Sequence, residues 1–171
     1  ITMTGRGKLE SEAQAFSYVY REVEGDFVIT AKLNSYTTAK STNQSQAGIL
    51  MTPDFAATGS NMLHALSGKG SSAFYYSHRL TAGKSTRGNQ SSAATEGDNV
   101  YLKLVRSADE YQASYSLDGG VTYSAIKKGT FSGSLPSKMY IGLMVNSGDN
   151  SATATAVFSD VKVNGVSMTF S

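Results

Sequence analysis

Apolar and polar residues alternate with a period of two along most of this chain, in runs of six to ten residues broken by Gly, Asn, Asp and Ser. In Phe27–Asn34, the residues Phe27, Ile29, Ala31 and Leu33 fall on one side, and Val28, Thr30, Lys32 and Asn34 on the other. The same pattern marks Ala15–Arg21, Ala47–Thr52, Met62–Ser67, Ala73–Arg79, Val100–Arg106, Tyr111–Leu117, Met139–Asn146 and Ala154–Val163. A helical period is hard to find. Nine such runs predict an all-β fold, a two-sheet antiparallel β-sandwich in which each strand buries one face.

The breaks between runs support antiparallel pairing. Glu24-Gly25-Asp26 precedes one strand, and Ser107-Ala108-Asp109-Glu110 separates two strongly alternating runs. Ser116-Leu117-Asp118-Gly119-Gly120-Val121-Thr122-Tyr123 looks like an Asp-box hairpin, whose Asp caps backbone N–H groups and whose glycines take positive φ. It occurs once, which argues against a propeller of repeated blades. Two polar stretches, Ser35–Gln46 and Thr81–Gly97, carry no strand pattern and are expected to be long connections, where ligand contacts concentrate.

Composition narrows the chemistry. At 171 residues the chain suits one domain, spanning 1–171. Cys is absent, which excludes disulfides, thiol nucleophiles and Cys-ligated zinc. No apolar run approaches the ~20 residues of a membrane helix. With a net charge of +2 and dispersed Lys and Arg, a nucleic-acid partner is not expected. The Ser/Thr-rich texture, and a start at Ile1 without initiator Met or signal pattern, lead us to expect a monomeric module excised from a larger, secreted multidomain protein.

Catalytic patterns are missing. His64 and His78 are 14 residues apart and form neither HxH nor HExxH, and no Gly-x-Ser-x-Gly elbow exists. Glycoside hydrolysis needs two carboxylates flanking the scissile bond. The nearest acidic cluster, Glu22-Val23-Glu24-Gly25-Asp26, has the wrong spacing and straddles a turn. No enzymatic activity and no cofactor are therefore expected. Structural calcium stays open, because Ser147-Gly148-Asp149-Asn150 and Glu96-Gly97-Asp98-Asn99 could each supply some oxygen ligands.

Chemistry suited to sugars is present. Sugar recognition uses aromatic faces together with planar polar side chains. Phe74-Tyr75-Tyr76-Ser77-His78-Arg79 is the richest segment, with Tyr75, Ser77 and Arg79 on one strand face and Phe74, Tyr76 and His78 on the other. Arg87 and Gln90 follow closely, and Asn61, His64, Gln46 and Thr52 are candidate neighbours across the sheet. The expected ligand-binding residues are Arg79, Tyr75, His78, His64, Arg87 and Gln46. With no Trp, a flat Trp row for crystalline cellulose cannot exist.

Seven blocks carry a wider resemblance: Gln14–Tyr20, Gly25–Lys32, Ala47–Met51, Tyr101–Arg106, Tyr115–Gly120, Met139–Val145 and Ala156–Val161. In this order they resemble the concanavalin-like jelly-roll accessory modules of bacterial pectate lyases and related polysaccharide-degrading enzymes, similar to family 66 carbohydrate-binding modules. The resemblance implies a noncatalytic domain that binds a polysaccharide, such as pectin, for a covalently linked catalytic domain. Relatives commonly carry Arg directly after the block that ends here at Met51; this chain has Thr52-Pro53-Asp54, which departs from fructan binding. The Arg of the next Tyr-rich strand corresponds to Arg79. Two other readings remain at this stage: a polysaccharide lyase or glycosidase on the same fold, and a ligand-free structural spacer.

Overall fold

The computed structural model describes residues 1–7, 17–39, 46–53, 63–68, 74–79, 87–90, 100–130 and 136–168, with the three strands between 63 and 90 described by backbone pairing. It contains β1 (Thr2–Gly7), β2 (Ser17–Glu24), β3 (Phe27–Thr38), β4 (Gln46–Thr52), β5 (Leu63–Gly68), β6 (Phe74–Arg79) and β7 (Arg87–Gln90). Then follow β8 (Val100–Ser107), β9 (Glu110–Ser116), β10 (Ser124–Thr130), β11 (Lys138–Asn146), β12 (Asp149–Val163) and β13 (Val166–Ser167). Among the described residues there is no helix.

Two antiparallel sheets form the fold. The first runs β1-β12-β3-β8-β9-β10, with β13 paired to β12; the second runs β2-β11-β4-β5-β6-β7. This is a jelly-roll β-sandwich. The alternation read along the chain places the core: Phe27, Ile29, Ala31 and Leu33 of the first sheet, at 1% exposure or less, face Ile49, Met51, Ile141 and Leu143 of the second, all fully buried. Removing that apolar area from water is the main stabilising term.

Differences from the sequence pattern have local causes. Ser35–Gln46, expected to be a connection, is shorter than it reads, because β3 continues to Thr38 and Gln46 already belongs to β4. Tyr36 anchors that extension: it is 2% exposed and donates its hydroxyl to the Asn146 carbonyl at 2.6 Å. Thr81–Gly97 holds β7, whose residues Arg87–Gln90 pair with β6 although none is apolar. β1 and β10 also went unread. Their inward positions are poor in large apolar residues, with Met3 followed by Gly5 and Gly7 in β1 and, among the described residues, only Ile126 packed on the core from β10.

Turn chemistry ties the hairpins down. Asp118 Oδ1 accepts the N–H groups of Val121 and Thr122 at 3.2 and 2.9 Å, and Oδ2 accepts the Thr122 hydroxyl. The Ser116 hydroxyl donates to Asp118 Oδ1 at 2.7 Å and accepts from the Gly120 N–H at 2.9 Å. These bonds, the Thr122 hydroxyl first, hold the Asp118 carboxyl down to about 2. Asn164 and Gly165, at φ 52° and 78°, make the tight β12–β13 turn, and Asn164 Oδ1 accepts the Val28 N–H at 2.9 Å. At the same end of the sandwich as that turn, buried Arg106 donates to the carbonyls of Ala108 (3.1 Å) and Pro136 (2.8 Å).

Candidate functional site

The register of the second sheet sorts the six expected binding residues into two sets. Met51, His64, His78 and Arg87 are successive cross-strand partners. Met51 and its β11 partner Ile141 lie in the core, so His64, His78 and Arg87 share the row that begins with core residues. The alternate rows hold the others. One runs across all six strands as Tyr18–Met144–Gly48–Ser67–Tyr75–Gln90. Arg79 pairs with Leu63, one step along from His64, in line with Thr52, Tyr140 and Glu22. Gln46 pairs with Asn146 in the same alternate set. Thus the sheet groups Tyr75, Arg79 and Gln46, and separates them from His64, His78 and Arg87.

The outward positions of β4 and β11 are not a solvated plane. Leu50 and Met144 are fully buried although they lie outside the cluster between the sheets, and Gln46, Thr52 and Asn146 are at most 5% exposed. They form a sheltered floor with mixed apolar and polar character. Asn146 Oδ1 accepts the Gln46 N–H at 3.0 Å. Its Nδ2 is buried with no hydrogen-bond partner, the one such side-chain atom among the described residues. A buried unpaired donor costs about 1–3 kcal/mol unless a water or ligand oxygen meets it.

Tyrosines border this floor at the β2 edge. Tyr18 and Tyr20 are two apart on β2 and so share a face, with ring centroids 5.5 Å apart at 31°. Tyr18 donates its hydroxyl toward the carbonyls of Leu50 (2.9 Å) and Tyr140 (3.0 Å). Burial, and then the neighbouring Tyr20, raise its pKa well above the ordinary 10, so it stays a donor at neutral pH. Tyr20 is 50% exposed and packs against Tyr140 edge to face, with centroids 5.7 Å apart. Gly142, the β11 partner of Tyr20, permits this close seating: a Cβ there would collide with the Val19 carbonyl oxygen. Glu22 and Lys138 pair at 3.6 Å beside the tyrosines, both well exposed.

Sequence reasoning passed over these three tyrosines. The Tyr18-x-Tyr20 spacing was the available signal, but Tyr140 joins them only through the β2–β11 register, across 120 residues of chain. The acidic cluster is dispersed in structural work: Glu22 faces Lys138, while Asp26 Oδ1 accepts the Ala108 N–H at 2.6 Å. Asp149 Oδ1, in one of the two loops considered for calcium, accepts the Ser151 N–H and hydroxyl at 2.8 and 2.6 Å. Among the described residues no group of three or more His, Cys, Asp or Glu could hold a metal ion. Residues 96–99, the other such loop, lie outside the described residues, as does Asn61.

No protein-family model matches the sequence, and no curated protein does so either. Solved structures do match. A functionally unknown protein from Saccharomyces cerevisiae is similar at TM-score 0.69 and 14% identity, over 95% of this chain and 85% of that one. A legume lectin-like domain from Entamoeba histolytica gives 0.57 and 10%, over 97% and 90%. A xylan β-1,4-xylosidase from Bacillus halodurans gives 0.59 and 10%; 95% of this chain aligns with only 32% of that enzyme. Glutamic peptidases share the fold too. At such identities the likeness establishes the concanavalin-like sandwich, a fold that serves lectins, glycosidases and peptidases alike.

Proposed function

We propose that this domain is a noncatalytic carbohydrate-binding module which holds an attached, secreted polysaccharide-degrading enzyme at plant cell-wall polysaccharide such as pectin. The observation that carries the reading is Tyr20: a half-exposed ring, steadied edge-on by Tyr140, at the border of a sheltered floor that includes Thr52, Gln46 and Asn146. A ring held in this way offers a face for sugar C–H stacking with little conformational entropy left to lose. Gln46 and Asn146 add amides at the far end of the β4–β11 pair. Tyr75 and Arg79 belong, by register, to the same alternate rows, and so are the preferred partners among the residues named from sequence. The likeness to a lectin-like domain, and to part of a xylosidase longer than this chain, agrees with a sugar-binding role.

Binding of this kind need not be tight. A tethered module raises the effective concentration of its enzyme at the polymer, and modest affinity suffices. The test is affinity electrophoresis of the domain against homogalacturonan, rhamnogalacturonan, xylan, glucans and levan, with and without calcium. Retardation by one polymer that is lost in Tyr20→Ala and weakened in Arg79→Ala supports the module. Release of product from any of them would replace it with a lyase or glycosidase. Neither retardation nor product would leave the spacer reading.

A further inference from the structure

The first sheet turns a different surface outward. Two cross-strand rows define it, Ser159–Lys32–Tyr101 and Lys162–Thr30–Lys103, each ending on β9 at a buried serine, Ser116 and Ser114. Lys162 and Lys103 are two strands apart, ~10 Å at ordinary strand spacing. The next row places Val28, Val105, Gln112 and Lys128 in line. Val105, Gln112 and Lys128 help line a shallow depression of about 120 Å³. Four lysines therefore share one sheet face.

Two tyrosine rings stand among these cations. Tyr101 donates its hydroxyl to Asp160 Oδ2 at 3.0 Å, and Lys162 meets Asp160 Oδ1 at 3.3 Å. Lys103 Nζ lies 4.9 Å from the centre of the Tyr123 ring, a cation–π contact. The Asp118 turn brings Tyr123 here by folding back beside the sheet. Gly120 of that turn sits between the rings, since a Cβ on it would be 3.4 Å from the Tyr123 hydroxyl and 3.5 Å from the Tyr101 ring.

Asp160 is the unusual member. It interrupts β12 at a register shift between Ser159 and Lys162 and has φ 50°, in the left-handed region that Asp and Asn enter more readily than other side chains. Bulges of this kind re-aim a side chain. Here the result is a carboxylate that fixes the hydroxyl of Tyr101 and the ammonium of Lys162 on the sheet face. A bulged carboxylate, two oriented rings and a set of like charges converge on one surface of a sheet whose opposite face is core.

We propose that this face is a second ligand surface, for an anionic polysaccharide, in which Tyr101 and Tyr123 offer rings and Lys32, Lys103 and Lys162 meet carboxylates along the chain. The charge complementarity selects an acidic polymer over a neutral one. The inference rests on the reading of the domain as a carbohydrate-binding module, but not on the tyrosine face of the second sheet.

The experiment compares polygalacturonate with its fully methyl-esterified form, which keeps the backbone and removes the charge. Dissociation constants are measured at one fixed ionic strength for the wild type, K103Q/K162Q, R21Q/K127Q and Tyr20→Ala. R21Q/K127Q removes the same charge elsewhere, since Arg21 pairs with core Ile141 and Lys127 with core Ala113, in rows that alternate with those of both proposed faces. K103Q/K162Q is expected to weaken binding of the acidic polymer about tenfold and R21Q/K127Q to leave it unchanged, while Tyr20→Ala weakens both polymers and keeps a residual preference for the acidic one. Equal weakening by both double variants would reduce the effect to diffuse charge and overturn the proposal. So would equal binding of the acidic and esterified polymers. Loss of all binding in Tyr20→Ala would also overturn it while leaving the module reading intact, whereas no binding of either polymer, or of any other in the panel above, would remove both.

Discussion

Tyr20 and Tyr140 meet edge to face across the β2–β11 ladder, with ring centroids 5.7 Å apart and planes at 82°. The contact orients Tyr20 but leaves half of it in water. Truncation should therefore cost little stability and much binding. Tyr20→Ala is expected to keep the melting temperature within a few degrees and to weaken polysaccharide binding about tenfold or more, which is ~1.4 kcal/mol. Tyr20→Phe should retain most of the affinity, because the ring face is the contact. Titration of both variants against the polymer selected by electrophoresis checks this; unchanged affinity in Tyr20→Ala would shift the site away from β2.

Gly142 decides whether that tyrosine pair can form. Its Cβ position is occupied by the Val19 carbonyl oxygen and crowded by the Tyr20 Cα, both backbone atoms that cannot rotate aside. Gly142→Ala must displace β2 from β11, and among the described strands β2 is at the edge of its sheet, paired with β11 alone. The expected loss is about 1–3 kcal/mol, in the range of other overpacked sites. Near-ultraviolet circular dichroism should lose tyrosine signal in the same variant as Tyr18 and Tyr20 leave their contacts. A variant with wild-type stability and spectrum would show that the strands are seated differently.

The period-two pattern exposed the architecture because one face of each central strand is buried. Phe27 to Leu33 reads as a strand for that physical reason, and its inward residues are those of the core. Edge strands lack the signal: Arg87–Gln90 has no apolar residue, and β10 has one that packs on the core. Asp118 was legible as a capping device because the contacts of an Asp box are local. The site was legible only in part. Tyr75 and Arg79 could be placed on a common strand face from spacing, but grouping them with Gln46 and against His64, His78 and Arg87 required the register of five strand pairs. Tyr140 and Asp160 could not be found from sequence, since one acts through a partner 120 residues away and the other through a bulge.

Ala108 is strained for no side-chain benefit. It lies in the turn between paired Ser107 and Glu110 with φ 51°, and its contacts are made by its backbone: the N–H to Asp26 and the carbonyl to Arg106. A left-handed conformation costs a non-Gly residue roughly 1–2 kcal/mol, partly offset in Gly by its greater unfolded-state entropy. Ala108→Gly should therefore stabilise by about 0.5–1 kcal/mol. A higher urea midpoint with an unchanged slope is the expected result; a lower midpoint would refute it.

Asp118 links the turn to acid stability. Its carboxyl is held down from 3.8 to about 2, chiefly by the Thr122 hydroxyl and then by the Thr122 N–H and Ser116. The folded state thus binds the proton more weakly than the unfolded state. By linkage, the carboxylate's contribution is fully present above the unfolded value near 4 and is lost as pH falls toward 2. Asp118→Asn keeps an amide oxygen as acceptor but has no charge to titrate. The melting temperature of the wild type should exceed that of Asp118→Asn by a constant margin above pH ~4.5, and the margin should shrink between pH ~4 and ~2. Thermal melts of both proteins across that interval are the measurement. A margin that stays constant to pH 2 would mean that the turn does not hold the ionised carboxylate. The same turn places Tyr123 beside Lys103, so Asp118→Asn should also weaken any ligand that depends on that tyrosine, at neutral pH and without unfolding the sandwich.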